Sequence, residues 1–212
     1  MRFAKEAWPF VVPFLAAGAA LFLFRRPGWG AAACALGLLV LLFFRDPRRR
    51  FEGGPEVVVA PADGRVTGIS VVEDPEIGPG RYRRVVTFLS VFDVHVQRCP
   101  VDGTVVYSEP RRGLKLAAFR SDAGDKNQGH TQVLQTPAGA RVGVRQLAGL
   151  IARRVVSYLH AGETHRRGDP LGLIKFGSRV DLFVPESYRV MVAVGERVRN
   201  GETPMAEPGG PR

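Results

Sequence analysis

Two uncharged apolar runs, residues 7–24 and 27–44, each 18 residues long, follow one another with only Arg25 and Arg26 between them. Eighteen helical residues rise about 27 Å, close to the roughly 30 Å hydrocarbon core of a bilayer. A buried helix of a water-soluble domain seldom lacks charge on every face for so long. The runs therefore predict a hydrophobic helical hairpin, a membrane-anchoring domain over residues 1–50. Arg2 and Lys5 precede the first run, and Arg45, Arg48, Arg49 and Arg50 follow the second. Positive charge is thus heavier at the outer ends than in the turn, which predicts that both ends face the cytoplasm and meet anionic lipid. A secretory signal peptide is the rival reading, since a basic start, an apolar stretch and Ala17-Gly18-Ala19 imitate its three parts. Against it, apolar residues 21–24 and a second run follow at once. Pro9, Pro13 and Pro27 are expected to kink short helices, so a monotopic hairpin lying in the interface stands beside a spanning one.

The remaining residues, 51–212, have the texture of a second domain. Short β-branched stretches at 57–60, 65–72, 83–90, 104–107, 131–134, 141–144, 182–184 and 188–194 are punctuated by Gly, Pro and Asp, which predicts a mainly antiparallel β domain with minor α, an α+β fold. Helical spacing is weak, the better candidates being 114–119 and the turn around 146–151. Two near-repeats stand out. Pro61-Ala62-Asp63-Gly64-Arg65-Val66 resembles Pro100-Val101-Asp102-Gly103-Thr104-Val105, and Gly162-Glu163 with Gly168-Asp169 resembles Gly195-Glu196 with Gly201-Glu202. Either this is ordinary recurrent turn chemistry or the domain holds two similar β lobes. The Pro- and Gly-rich tail after Thr203 is expected to fray.

Composition narrows the function. Of 212 residues, 30 are Lys or Arg and 20 Asp or Glu, a net charge of +10, and only 2 are Cys. Two distant cysteines, Cys34 and Cys99, make no disulfide framework, and no Cys or His spacing points to a zinc or other metal site. The basic excess raises nucleic-acid binding as a reading, but the arginines are scattered and no aromatic-rich basic motif accompanies them, so no nucleic-acid partner is expected.

Single residues say little alone. His95 lies in a strand-like stretch that could hold a base rigidly, although a lone strand histidine more often merely packs or faces solvent. Asp63 suits a turn-capping role. Ser178 follows Gly177 in neither a nucleophile elbow nor a phosphate loop.

Their combination says more. Ala60-Pro61-Ala62-Asp63-Gly64, Asp93-Val94-His95-Val96, Gln146-Leu147-Ala148-Gly149-Leu150-Ile151-Ala152-Arg153-Arg154 and Lys175-Phe176-Gly177-Ser178-Arg179-Val180-Asp181 occur in this order. The chain resembles the short-form (archaeal and bacterial type) phosphatidylserine decarboxylases over essentially its whole length, the apolar hairpin included. The resemblance implies self-cleavage between Gly177 and Ser178 into a β chain (1–177) and an α chain (178–212) that remain a heterodimer. It also implies conversion of Ser178 to a covalent pyruvoyl (pyruvate) cofactor. The expected activity is decarboxylation of phosphatidylserine to phosphatidylethanolamine, through a Schiff base, at the cytoplasmic face of the cell membrane. Ser178, His95 and Asp63 are the implied catalytic residues, with Asp63 expected to hold one nitrogen of His95. Higher oligomers are left open. Longer family members carry a second histidine three residues after the first, where this chain has Arg98. Short-form members carry an Asn flanked by glutamates, of which Asn127 alone matches. The competing class is a membrane-tethered β-rich binding module without catalysis.

Overall fold

In a computed structural model of the chain, residues 2–113, 127–149, 155–175 and 178–209 are described. They divide into two compact units, Met1–Arg48 and Arg49–Arg212.

In the first unit, the apolar runs form helices α1 (Trp8–Leu23) and α2 (Pro27–Phe43), flanked by strands β1 (Arg2–Phe3) and β2 (Arg45–Asp46). β1 and β2 pair antiparallel, which brings the two charged ends of the hairpin together. Pro9 and Pro27 sit in first turns, where a missing N–H costs nothing, so only Pro13 lies inside a helix. The helices meet through small residues: a Cβ on Gly18 would stand 2.5 Å from Cys34 Sγ, and one on Gly30 3.1 Å from the Gly18 carbonyl. Leu23, Trp29, Leu38 and Leu39 point outward instead. Small residues thus line the contact between the two helices and large apolar ones face outward. Lys5–Leu23 is long and apolar enough to cross a membrane by length and composition, whereas α2 has only 17 residues.

The second unit is almost entirely β. Its strands are β3 (Val58–Val59), β4 (Gly64–Asp74), β5 (Gly78–Leu89), β6 (Val96–Arg98), β7 (Gly103–Arg111), β8 (Gly129–Gln135), β9 (Arg141–Ala148), β10 (Val155–Ser157), β11 (Thr164–His165), β12 (Pro170–Ile174), β13 (Ser178–Pro185), β14 (Tyr188–Val190), β15 (Arg197–Val198) and β16 (Pro204–Pro208). An eight-stranded sheet runs β11-β7-β8-β9-β13-β5-β4-β15, and two three-stranded sheets run β10-β12-β6 and β14-β16-β3. Every described pairing is antiparallel. Alternation places Val66, Val85, Leu134, Val142, Val144, Val180, Leu182 and Val184 in one buried core.

Two sequence expectations change. Pro204–Pro208 is a strand whose Met205 and Ala206 are fully buried, so the tail is held by β3 and β14 up to there. Gln146, Leu147 and Ala148 belong to β9, because both edges of that strand find antiparallel partners. The helix expected at 114–119 lies outside the described residues, as does the end of the 146–151 turn.

The strand order is palindromic, and the near-repeats explain it. Val59 N donates to Pro100 O and Arg98 N to Pro61 O, both at 2.9 Å, so the two Pro-x-Asp-Gly turns exchange the same pair of bonds. Gly162 N bonds Val105 O as Gly195 N bonds Val66 O, and Gly168 N bonds Cys99 O as Gly201 N bonds Ala60 O. All four glycines have φ between +66° and +95°, where a side chain would be strained. Lobe A therefore comprises β3, β4, β5, β13, β14, β15 and β16, and lobe B comprises β6 to β12. Lobe B is inserted between β5 and β13. In lobe B the strands equivalent to β5 and β13 are joined directly by the hairpin Thr136-Pro137-Ala138-Gly139-Ala140. In lobe A that connection is opened into two: a linker of residues 90–95 leads from β5 to lobe B, and the chain returns from β12 to β13.

Candidate active site

Both connections between the lobes lead to residues singled out from the sequence. His95 ends the outgoing linker, and Ser178 is the first residue after the returning one. Ser178 heads β13, opposite Leu89 on β5 and Ala148 on β9. The amide of Ile174, the last residue of β12, lies 3.4 Å from the His95 carbonyl. Four residues span at most about 14 Å, which bounds how far Ser178 can stand from the Ile174 amide beside His95. Gly177 and the side chain of Ser178 lie outside the described residues.

His95 is fully buried. Its Nδ1 stands 2.9 Å from the carbonyl of Asp93, which can only accept, so Nδ1 carries a proton, and in the neutral ring Nε2 is the basic nitrogen. The His95 carbonyl accepts from Gln97 Nε2 at 2.8 Å, and Gln97 Oε1 accepts from Gln146 Nε2 at 2.7 Å. Asn127, the residue that matches the family pattern, is also fully buried and donates to the Ala148 carbonyl at 2.9 Å. Uncharged side-chain amides thus satisfy the carbonyls of His95 and of Ala148, the register partner of Ser178.

Asp63 is buried nearby, but its carboxylate is committed elsewhere. Oδ1 accepts from the Asn200 amide at 2.7 Å and Oδ2 from Arg49 Nη2 at 3.0 Å, while the Val94 amide adds a further hydrogen bond. The expected bond from Asp63 to His95 is replaced by the Asp93 carbonyl on the imidazole. Burial pushes the Asp63 carboxyl above its usual range, opposed by the Asn200 amide and the Arg49 guanidinium. Part of this arrangement is turn architecture, because lobe B repeats it: Asp102 Oδ1 accepts from the Arg167 amide at 2.6 Å. The Arg49 pairing and the proximity to the Asp93–His95 segment belong to Asp63 in particular.

Arg49 is the residue sequence reading placed elsewhere. Counted among the charges meeting lipid, it instead bridges Asp63 and Glu202, both at 3.0 Å, with its side chain only 11% exposed. A guanidinium beside two carboxylates is held there by charge-assisted hydrogen bonds. Asn200 was equally missed, although Asn-Gly is a turn signal. Other candidates fall away from the junction. His130 bonds Ser108 Oγ at 3.0 Å, and burial lowers its basicity. His165 pairs with Glu163 at the sheet edge, and burial pushes the Cys99 thiol up to about 12, which leaves it inert. Among the described residues no cluster of three or more potential metal ligands exists.

One residue past Ser178, Arg179 forms a two-point ion pair with Asp181, Nε–Oδ1 2.6 Å and Nη2–Oδ2 2.8 Å, at 5% and 0% exposure. Residues two apart share a strand face, which is why the pair closes. Arg179→Met would strand a buried carboxylate, a loss of about 3–5 kcal/mol. The expected fall in melting temperature is about 6–20 °C by calorimetry in detergent. An exposed control, Arg65→Met, should stay within a few degrees.

A family model described as phosphatidylserine decarboxylase matches residues 36–206. A phosphatidylserine decarboxylase proenzyme of Symbiobacterium thermophilum is 44% identical over 200 residues, covering 94% of this chain and 93% of that protein. One from Burkholderia ambifaria is 40% identical over 206 residues, covering 96% and 95%. With sequence similarity along nearly the whole chain and a β-rich α+β fold beneath it, this protein belongs to the phosphatidylserine decarboxylase family of lyases.

Proposed function

We propose that the chain is a self-processing decarboxylase that converts phosphatidylserine to phosphatidylethanolamine and carbon dioxide at the cytoplasmic face of the cell membrane. Besides family membership, the observation that supports this reading is that Ser178 heads β13 between Leu89 and Ala148, while Ile174, four residues before it, bonds the His95 carbonyl.

The serine hydroxyl is a poor nucleophile until a base takes its proton. His95 Nε2 is the base, oriented by the Asp93 carbonyl. Ser178 Oγ attacks the Gly177 carbonyl carbon, and the proton held by His95 passes to the departing Ser178 nitrogen, which leaves an ester in place of the amide. Glycine suits this attack because no side chain shields its carbonyl. β-Elimination then removes the Ser178 α-proton and breaks the ester, releasing the Gly177 carboxylate as one chain end and leaving dehydroalanine at the other, whose imine tautomer takes up water and loses ammonia to become a pyruvoyl group. Such a group supplies an electron sink for loss of the substrate carboxylate. The surroundings of position 178 fit it. Leu89 and Ala148 present an almost fully buried apolar wall, and Asn127, Gln97 and Gln146 offer neutral hydrogen-bonding groups that would not repel the substrate's carboxylate. Arg49 and the Asn200 amide hold Asp63 ready to assist proton transfer beside the same segment.

The cut bond precedes the first residue of β13, so no described strand is severed. After cleavage, residues 178–212 keep β13 between β5 and β9, β15 on β4, and β16 between β14 and β3. The two chains therefore stay together as a heterodimer. Both charged ends of the hairpin, joined through β1 and β2, are placed on the cytoplasmic side by the positive-inside rule.

Purified wild-type protein should run as fragments 1–177 and 178–212 on a denaturing gel, with masses to match, and release carbon dioxide from phosphatidylserine vesicles. A single intact chain that binds these vesicles without releasing carbon dioxide would identify a tethered binding module instead.

A further inference from the structure

We propose that the second unit carries its own lipid-contacting tip, formed by Val91, Phe92 and Val194 with Arg65 and Arg197, which seats the mouth of the His95–Ser178 junction on an anionic bilayer surface. The inference deepens the decarboxylase reading and rests on it for the identity of the substrate.

The tip begins as a tight turn in the outgoing linker. Asp93 N donates to Ser90 O at 3.0 Å, and Asp93 Oδ2 accepts from both Ser90 N and Ser90 Oγ, at 2.8 and 2.9 Å. Every polar group of the turn ends is thereby engaged, and the two corner positions go to Val91 and Phe92, 52% and 81% exposed. A second turn stands beside it. Arg197 Nη2 reaches Asp93 Oδ1 at 2.7 Å, and the same Arg197 is the register partner of Arg65, whose Nη1 holds the Gly195 carbonyl at 2.8 Å. Val194, next to Gly195, is 61% exposed. These three are the most exposed large apolar side chains among the described residues of the second unit, and the Asp93–Arg197 bond joins the turns that bear them.

Folding alone does not require this exposure, as lobe B demonstrates. There the position of Val194 is taken by Ala161, and the linkers are replaced by the short hairpin Thr136-Pro137-Ala138-Gly139-Ala140, which carries no large apolar side chain. Lobe A alone has acquired apolar bulk at this corner. Its rim carries Arg65, exposed, and Arg197, 67% exposed while paired with Asp93, with Glu196, which caps the Ala193 amide, as the one exposed carboxylate of the same turn. An aromatic and two valines flanked by arginines match an interface of acyl chains below and anionic headgroups above. Phe92 lies three residues from His95, so insertion of the tip would bring headgroups to the junction without lifting a lipid out of the bilayer.

Two measurements on the full-length, membrane-inserted protein test this. In a Trp8→Phe/Trp29→Phe background, Phe92→Trp supplies the only tryptophan. On vesicles of phosphatidylserine and phosphatidylcholine its emission should shift to shorter wavelength and be quenched by phosphatidylcholine brominated on the acyl chains. Val91→Ser/Phe92→Ser should process normally, turn over a short-chain, monomerically dispersed phosphatidylserine at the wild-type rate, and show a roughly tenfold higher KM for the lipid in vesicles at unchanged kcat. Absence of quenching, or equal KM values in vesicles, overturns the tip. So does loss of a dimer in the double variant without quenching, which would assign the patch to a second copy of the chain. If the wild-type protein releases no carbon dioxide, the decarboxylase reading fails, while the tryptophan readout still decides the tip.

Discussion

Ser178→Ala is expected to leave one uncut chain of 212 residues with no decarboxylation, because alanine has neither the oxygen that attacks Gly177 nor the one that elimination removes. The effect is all-or-none rather than graded, since the variant lacks the precursor of the cofactor. It is separable from misfolding. Ser178 heads a strand whose pairing with Leu89 and Ala148 is made by the backbone, so the variant should keep the wild-type melting behaviour and circular dichroism. Wild-type protein should yield a 178–212 fragment that resists sequential amino-terminal degradation, because a pyruvoyl end has no α-amine. Borohydride added with phosphatidylserine should leave lipid covalently attached to that fragment and to no other. Active wild-type protein that is uncut at this bond would falsify the mechanism.

The second large effect is at His95. Removing a general base costs about 10²- to 10⁴-fold, so His95→Ala should stretch processing far beyond the time in which wild-type protein is completely cut. Time courses read on denaturing gels measure it. Asp63→Asn should slow processing less, because Asp63 acts beside the imidazole's segment while the Asp93 carbonyl orients the ring. His160→Ala and His165→Ala serve as controls. Both residues lie in lobe B around the turn that Glu163 caps, away from the junction, and both variants should process at the wild-type rate. Normal processing in a folded His95→Ala protein would return this residue to a packing role, for which its complete burial already provides a reason.

Much of this protein is legible along the chain because the forces involved are local. Uncharged runs of membrane length, β-branched alternation and Gly-acid turns report on neighbours within a few residues, and they led correctly to an apolar helical hairpin followed by antiparallel β structure. Even the pseudo-twofold lobes left a trace, since identical turns need identical glycines and acids: Asp63 and Asp102 each cap an amide 137 and 65 residues away in the same geometry. The strand at Pro204–Pro208 was illegible for the opposite reason. Its prolines and short length argue against a strand, and only the partners β3 and β14, supplied from far away in sequence, make it one.

The candidate site belongs to the same class. Motif resemblance named Ser178, His95 and Asp63, but no local signal says that lobe B is inserted between β5 and β13, and the bond from Ile174, four residues before Ser178, to the His95 carbonyl follows from that insertion. Nor does the sequence reveal which acceptor orients the imidazole. Asp63 and Asp93 are equally acidic on paper, and the outcome depends on Arg49 and Asn200 claiming the Asp63 carboxylate while the backbone of Asp93 curls onto Nδ1. Arg49 shows the same division most sharply. As one of several arginines after an apolar helix it reads as a lipid-facing charge, and only the three-dimensional placement of Asp63 and Glu202 turns it inward. Charge and hydrophobic period are properties of a segment, and the sequence by itself determined the apolar hairpin, the strands and the turns through them. Partnership between buried polar groups is a property of the closed fold, because a desolvated charge takes whichever opposite charge the topology brings within reach, and that choice was the tertiary structure's to make.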